Sequence, residues 1–395
     1  MKGNKPIKIL HIIHGFGVGG AETWLLACTK YLKDNPYLNI QFDYVLAGGK
    51  KETLDDEFLK LGSDLFYIKY SLPQILLFRK KLIKVLKESE YTAVHNHLDF
   101  VAGWQYLSVL DKLPRIRIIH LHNPWNFVNN YCSSFGRKIS YKIGRWLITK
   151  TASSLTGTSD AVMDEYKYVS KTFKKIRINP IYCGFNVSAF KFNNLAKQIV
   201  CEELKFNFSA NFKIALFVGR VGLHSVDHAK NQKNPELAFE IAKKLVKTND
   251  NWKFLFAGFK GEFGQKLEEK VEKLGLANKI IFLGLRNDIP KLMSASDVLV
   301  FPSYWEGLGM VVVEAQANGL NVIMSNTVPK EAVISPELVT CMSIFENTIE
   351  EWVDKIIKSD SQNINRETPN KLIAESPFSI ENSVLAMMKA YGIGE

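Results

Sequence analysis

The 395-residue chain lacks any apolar run near the roughly 18 residues that cross a bilayer. It also lacks paired cysteines. Its five, Cys28, Cys132, Cys183, Cys201 and Cys341, are odd in number and scattered, with no CxxC. That argues against a disulfide framework or a zinc site and for a reducing cytoplasm. No Asp-x-Asp stands at a strand end to hold a metal–diphosphate pair. No nucleic-acid motif accompanies the positive charge, so nucleic acid is not expected as a partner. The opening MKGNKPIKILHIIHGF has basic residues and a short apolar run but no small-residue cleavage site. It reads as a first strand rather than a signal peptide.

What is present describes a globular protein. Hydrophobic residues make up 46% and charged residues 23%, and the length suits two domains of ordinary size. The net charge of +11 is uneven: residues 1–185 hold 27 Lys/Arg against 15 Asp/Glu, and residues 186–395 hold 24 against 25. The clusters Arg79-Lys80-Lys81-Lys84, Arg137-Lys138-Lys142-Arg145 and Lys171-Lys174-Lys175-Arg177 include stretches interleaved with large apolar residues. A solvated helix face would account for each. Their sum in one half points to anionic lipid head groups or a phosphate-bearing partner.

Strand and helix signals alternate along the chain. Strands are expected at Ile7–Ile13, Ile40–Leu46, Leu65–Ile68, Thr92–Val94, Arg117–Leu121, Ser154–Thr156 and Ile176–Ile178, with helices such as Thr23–Leu32, Pro73–Lys87 and Phe135–Thr151 between them. Asn179–Lys197, with Pro, Gly, Asn and no clear period, is the expected linker. The alternation restarts with strands at Phe212–Val218, Lys253–Ala257, Lys279–Leu283, Asp297–Phe301 and Asn321–Met324. The fold class is α/β: two doubly wound domains in succession, with ligands at the carboxyl ends of the strands and a cleft between the domains joining both sets of ends.

The most informative stretch is Phe301–Asn326, FPSYWEGLGMVVVEAQANGLNVIMSN. Glu306 lies in its turn. Glu314 lies about two helical turns further on, in a helix otherwise apolar, where an unpaired carboxylate is costly. A polar site facing the turn and helix start explains both. Upstream, Arg220 follows a strand and Lys233 precedes a helix, the bidentate clamp and point charge that a diphosphate needs. Lys230 competes with Lys233, since AKN and QKN look alike. GFGVGG, Gly15 to Gly20, superficially fits a nicotinamide-binding loop with Asp43 as the ribose acid. Asp43, however, sits inside its strand, and the adjacent Gly19-Gly20 suits bare amides approaching a ligand. His97 and His122 each follow a strand and could serve sugar hydroxyls or proton transfer. His95 and His120 are expected to point away from them, which makes a shared metal site unexpected.

With these motifs in place, the sequence resembles the retaining GT-B glycosyltransferases of family 4 (glycosyltransferase group 1), in particular the bacterial exopolysaccharide and capsule branch. The resemblance runs from ILHIIHGFGVGGAET through VHNHLDFVAG, RIIHLHN, IYCGFNVSAF, FVGR…KNPEL and IIFLGLRNDIPKLMSASDVLVFPSYWEGLGMVVVEAQANG to SPFSIENSVLAMMKAY. It implies two Rossmann-like domains facing a central cleft: an acceptor domain at 1–185, a nucleotide-sugar domain at 186–375, and a final helix at 376–395 crossing back to the first. Glu306 would meet the donor sugar and Glu314 the ribose. Arg220 and Lys233 would hold the diphosphate, helped by amides of Leu308, Gly309 and Met310. Leu285 and Arg286 would meet the base through backbone. Gly19 and Gly20 would lie against phosphate or acceptor, with His122, His97 and Asn123 lining the sugar and acceptor site. No metal or other cofactor is implied, and a UDP-sugar is the favoured donor. The acceptor would be a glycan, lipid-linked through polyprenyl diphosphate, reached from the cytoplasm at the inner membrane face. Two departures stand out: Cys183-Gly184 where Asn-Gly is usual, and a longer loop between Arg220 and Lys233. The competing readings are a GT-B nucleotide-sugar epimerase, which would turn over without acceptor; a nicotinamide-dependent oxidoreductase, which would bind NADH; and a non-catalytic sugar-binding protein, which would survive loss of Glu306.

Overall fold

The computed structural model describes residues 5–17, 19–125, 135–166, 171–206, 211–222, 231–359 and 365–394. The chain divides into two compact units, Met1–Phe185 with Pro377–Glu395, and Asn186–Ser376.

The first unit is built on a six-stranded parallel sheet of β1 (Ile7–Ile13), β2 (Ile40–Leu46), β3 (Leu65–Tyr67), β4 (Tyr91–Asn96), β5 (Ile116–Leu121) and β6 (Ser154–Gly157). Its order is β3-β2-β1-β4-β5-β6. The strands are near-continuous apolar runs because helices cover both faces. Leu10, Ile12, Val45, Val94, Ile119 and Leu155 are all fully buried in one cluster. The second unit repeats the design with β7 (Lys213–Val218), β8 (Trp252–Ala257), β9 (Ile280–Gly284), β10 (Val298–Phe301), β11 (Asn321–Ser325) and β12 (Val339–Met342). The order β12-β11-β10-β7-β8-β9 is the same winding read from the other edge. In each sheet the strand order reverses beside the first strand, between β1 and β4 and between β7 and β10. Ligands of doubly wound sheets bind at such points, outside the carboxyl ends.

Three local expectations need correction. Ile176–Ile178 is not a strand: the helix Lys171–Ile176 takes its first residue, and Arg177 makes only an isolated bridge to Leu155, because Asn179-Pro180 follows at once. β12 was not expected. It is a four-residue edge strand in which only Met342 is buried, so it carries no apolar run. The first helix starts at Gly20, inside the glycine loop, rather than at Thr23. After the helix Lys171–Ile176 the chain runs without a further helix to Phe185, which pairs with Phe378 and Ile380 through backbone hydrogen bonds of 3.0 Å each. The final helix, Ile380–Ala390, thereby packs on the first unit, where Ser383 Oγ accepts from Trp24 Nε1 at 2.8 Å.

Candidate functional site

In the second unit, β7 is followed by Gly219, whose φ of +155° few side chains adopt. A Cβ there would also strike the Lys233 side chain, 2.9 Å from its Cγ. The bare glycine lets Lys233 lie along the strand end. Its ammonium reaches Glu306 Oε1 at 2.8 Å and stands 4.6 Å above the Phe301 ring centroid. Glu306 is only 6% exposed, so this is a buried ion pair. Its second oxygen accepts from Gln232 Nε2 at 3.2 Å, and the same amide donates to the Trp305 carbonyl. Gln232 Oε1 in turn accepts from Arg220 Nη2 at 3.5 Å. Arg220, Gln232, Lys233 and Glu306 thus form one polar chain across the ends of β7 and β10. Lys230 lies outside the described residues.

The turn then passes through Gly309 at φ +90° into the helix Met310–Ala317. A Cβ on Gly309 would come 3.0 Å from Val328, so the turn sits tight on its floor. Leu308 is buried and Met310 half-buried. Glu314 keeps partial exposure, yet burial pushes its carboxyl up to about 7, with the charge of Lys233 opposing. One cation is therefore coupled to both carboxylates. Leu285 is exposed, just past Gly284 at the end of β9. The guanidinium of Arg286 is committed elsewhere: Nε and Nη2 each donate to Asp288 at 2.8 Å, and Nη1 donates to Glu203 at 2.5 Å. Three of its five N–H donors are thus held by carboxylates.

In the first unit, Gly20 opens the helix Gly20–Asp34, and Gly19 caps it. A Cβ on Gly19 would lie 2.4 Å from Glu22 Oε2, and one on Gly15 would lie 2.7 Å from Glu52 Oε2. Two carboxylates are folded against this loop, the nearer from the helix's own first turn, where negative charge is favourable. Asp43 is fully buried and accepts from Lys8 at 3.2 Å, Gln41 at 2.8 Å, Tyr91 at 3.1 Å and the Asp64 amide at 3.0 Å. It is a structural carboxylate, with no lone pair left for a ribose.

The histidines are the main correction. His95 and His120 do not point away from His97 and His122. Residues two apart on a strand share a face, and the structure gathers five imidazoles. His11 Nδ1 lies 3.0 Å from His97 Nε2, and His97 Nδ1 lies 3.0 Å from His122 Nε2. His120 Nδ1 lies 3.3 Å from His95 Nε2, and His95 Nδ1 lies 2.7 Å from the Tyr391 hydroxyl. Burial, with mutual repulsion, holds His11, His95, His97 and His120 well below their ordinary value. Burial brings His122 down to about 4. All five are neutral at pH 7.

Asp99, absent from the sequence expectations, fixes the exposed end of this array. Held at φ +46°, it accepts the amides of His122 at 2.7 Å and Asn123 at 3.4 Å on Oδ1, and Asn123 Nδ2 at 2.7 Å on Oδ2. Burial raises it to about 6 against those hydrogen bonds. Gln232 was also missed. Neither residue carried a signal beyond lying beside a chosen one.

Two family models match the chain, described as Glycosyltransferase Family 4 over residues 18–189 and as Glycosyl transferases group 1 over residues 205–376. The chain is 27% identical over 392 residues to EpsF of Bacillus subtilis (strain 168), named as a glycosyltransferase, covering 98% of this chain and 96% of the relative. It is 28% identical over 323 residues to the capsular polysaccharide biosynthesis glycosyltransferase CapH of Staphylococcus aureus, covering 81% of each. It is 26% identical over 330 residues to the UDP-Gal:alpha-D-GlcNAc-diphosphoundecaprenol alpha-1,3-galactosyltransferase of Escherichia coli, covering 81% of this chain and 80% of the relative. Among solved structures, Anabaena Alr3699/HepE in complex with UDP and glucose superposes with TM-score 0.76 at 18% identity, over 98% of this chain and 99% of the other.

Proposed function

The chain belongs to the group 1 glycosyltransferases, enzymes with the GT-B fold, and from that premise we propose that it moves a sugar, with retention and without a metal, from a UDP-sugar to a lipid-linked glycan in polysaccharide biosynthesis. The observation that carries this is the polar chain Arg220–Gln232–Glu306–Lys233 at the β7/β10 reversal, with Glu314 coupled to it. In this reading Arg220 clamps the diphosphate as a planar fork and Lys233 balances the charge that grows on the leaving group. Such preorganised cations are the main catalytic contribution when no metal takes part. Lys233 now neutralises Glu306. An arriving diphosphate would share that cation and release Glu306 to accept from sugar hydroxyls, while Glu314 accepts from the ribose. The amides of Leu308, Gly309 and Met310 would assist, and the backbone of Leu285 and Arg286 would meet the base. Gly19, Gly20, His97, His122 and Asn123 would serve the acceptor and sugar.

The UDP donor is supported by the UDP in the HepE complex, and the lipid link by the diphosphoundecaprenol in the name of the E. coli relative. A thermal-shift panel tests the donor half. UDP or a UDP-sugar at a hundredfold excess over Kd should stabilise the protein by about 2.7 kcal/mol. A flat response across nucleotides would overturn the reading. Turnover of a bound UDP-sugar without acceptor would make the protein an epimerase instead.

No described helix is long and apolar enough to cross a membrane. The helix Ile75–Glu88 sets exposed Leu76 and Leu77 beside exposed Lys80, Lys81, Lys84 and Lys87. The helix Phe135–Thr151 exposes Phe135, Ile139, Ile143 and Trp146 among cations. Apolar side chains interleaved with lysine suit an anionic bilayer surface, at about 1 kcal/mol per cation near it. Changing Lys80, Lys81 and Lys84 together to Glu should sharply weaken co-sedimentation with vesicles containing anionic lipid. Unchanged partitioning would sink the membrane assignment and leave the donor site untouched.

A further inference from the structure

Arg145, on the helix Phe135–Thr151, stands apart from the other half-buried arginines among the described residues. Arg79, Arg177 and Arg286 each meet at least one carboxylate. Arg117 and Arg366 each donate to three backbone carbonyls. Arg145 donates only to the Glu165 carbonyl, at 3.3 Å. Its Nε is buried with no hydrogen-bond partner. A guanidinium carries its N–H donors in a fixed fork, and holding such a cation half out of water with one partner is costly.

Its surroundings belong to the acceptor side of the first unit. The guanidinium carbon lies 4.4 Å from the centroid of the Trp125 ring and 5.6 Å from that of Tyr166. The two rings meet edge to face at 5.5 Å. Trp125 stands two residues after Asn123 and three after His122, just past the carboxyl end of β5. Tyr166 is fully buried, and its hydroxyl also lacks a partner. Stacking on aromatic faces fixes the plane of the fork without using its donors. On the same helix Ile143 and Trp146 are exposed, as part of the surface proposed to meet the bilayer. One flank of the helix thus faces that surface, while Arg145 packs against the chain that continues from His122.

We propose that Arg145 binds the diphosphate of the lipid-linked acceptor, with Trp125 and Tyr166 as the shelf that holds its fork. This rests on the acceptor class proposed above. A planar fork meets two phosphate oxygens at once, and an anion there satisfies the donors that Glu165 leaves over. The diphosphate of a carrier lies at the head-group level of a bilayer, the level at which Ile143 and Trp146 would sit. A carboxylate on the glycan is not held at that level, which favours the carrier as the source of the anion. Arg145 belongs to the first unit, whereas the donor cations Arg220 and Lys233 belong to the second.

Geranyl diphosphate is the probe. It should be titrated calorimetrically into the full chain with UDP in excess, so that the donor cations are occupied. The wild type should bind it, and Arg145→Gln should weaken binding about 10- to 100-fold, the range of a lost hydrogen bond to a charged group. Arg145→Lys keeps the charge over Trp125 and should recover only part of the affinity, because an ammonium makes no fork. Glucuronic acid, which carries the carboxylate alone, should not compete. Absence of binding to the wild type would overturn the proposal, as would wild-type affinity in Arg145→Gln or Arg145→Lys. Competition by glucuronic acid would also overturn it. Loss of binding in the Lys80, Lys81 and Lys84 charge reversal would place the anion on that helix and overturn it too. A parallel loss of UDP affinity in Arg145→Gln would make the residue structural. The wild-type titration and Arg145→Lys decide the matter even if Arg145→Gln fails to fold. Failure of UDP itself to bind would overturn the donor reading alone, since the geranyl diphosphate titrations still read Arg145.

Discussion

Lys233→Ala is expected to lower kcat for sugar transfer by roughly a hundred- to a thousandfold, the scale seen when one preorganised charge-stabilising group is removed. The loss should fall on kcat more than on KM, because the cation is needed most where charge builds on the departing diphosphate. The same variant should be less stable. It leaves Glu306, 6% exposed, with the Gln232 amide in place of an ion pair, and stranding one partner of a buried pair costs about 3–5 kcal/mol. The partial exposure of Lys233, 18%, places the expectation at the lower end. A third consequence separates this account from simple misfolding. Lys233 is the charge that holds the Glu314 carboxyl down against burial. Without it Glu314 rises further and stays protonated to higher pH, so donor binding should need a higher pH for its full strength. Initial rates at saturating donor, with a pH profile of donor affinity, test all three. Transfer at the wild-type kcat would remove Lys233 from the mechanism and pass the role to Lys230. Lys233→Arg should restore stability better than rate, because a planar fork cannot replace a point charge at that spot.

How far the sequence revealed this site depended on the range of the interactions. The strand alternation and both strand-to-helix turns carrying Glu306 and Arg220 were legible, because burial on two faces writes itself as continuous apolar runs. The edge strand Val339–Met342 was not, because only one of its residues is buried. Glu314 stood out as a charge in an apolar helix. Gln232 did not, since its role depends on three contacts made at once to Arg220, Trp305 and Glu306. The histidines show a different failure. Four of the five residues stand out in the sequence, while His11 is hidden inside the first strand; His95 and His97, two apart, are read there as facing opposite ways, although a period of two puts them on one face. With the period applied, the array follows from the pairing of β1, β4 and β5, since His11 stands opposite His95 in register. Asp99 would still have been missed, because its function rests on a left-handed backbone that no residue pattern announces.

The histidine array also makes the first unit acid-sensitive. Lowering the pH from 7 to 5.5 is expected to lower the stability of this unit. Histidines in an unfolded chain titrate near 6.5. Burial holds His11, His95, His97 and His120 well below that and brings His122 down to about 4. The folded value is depressed, so the unfolded state binds more protons below 6.5. Stability is full above that pH and falls as pH drops toward the folded values. Each buried histidine adds to that loss. Asp99 acts the other way. Its carboxyl, raised to about 6, takes a proton in the folded state first and returns about 1 kcal/mol over the same interval. The second unit should move oppositely, because Glu314, raised to about 7, gains stability as pH falls through that value. Hydrogen exchange at the two pH values, corrected for intrinsic rates, should therefore show protection lost in β1, β4 and β5 and kept in β7 and β10. His11→Gln, which removes one titrating member, should narrow the gap. Equal protection of the first sheet at both pH values would mean that the array accepts protons without cost, and that its imidazoles are solvated rather than buried.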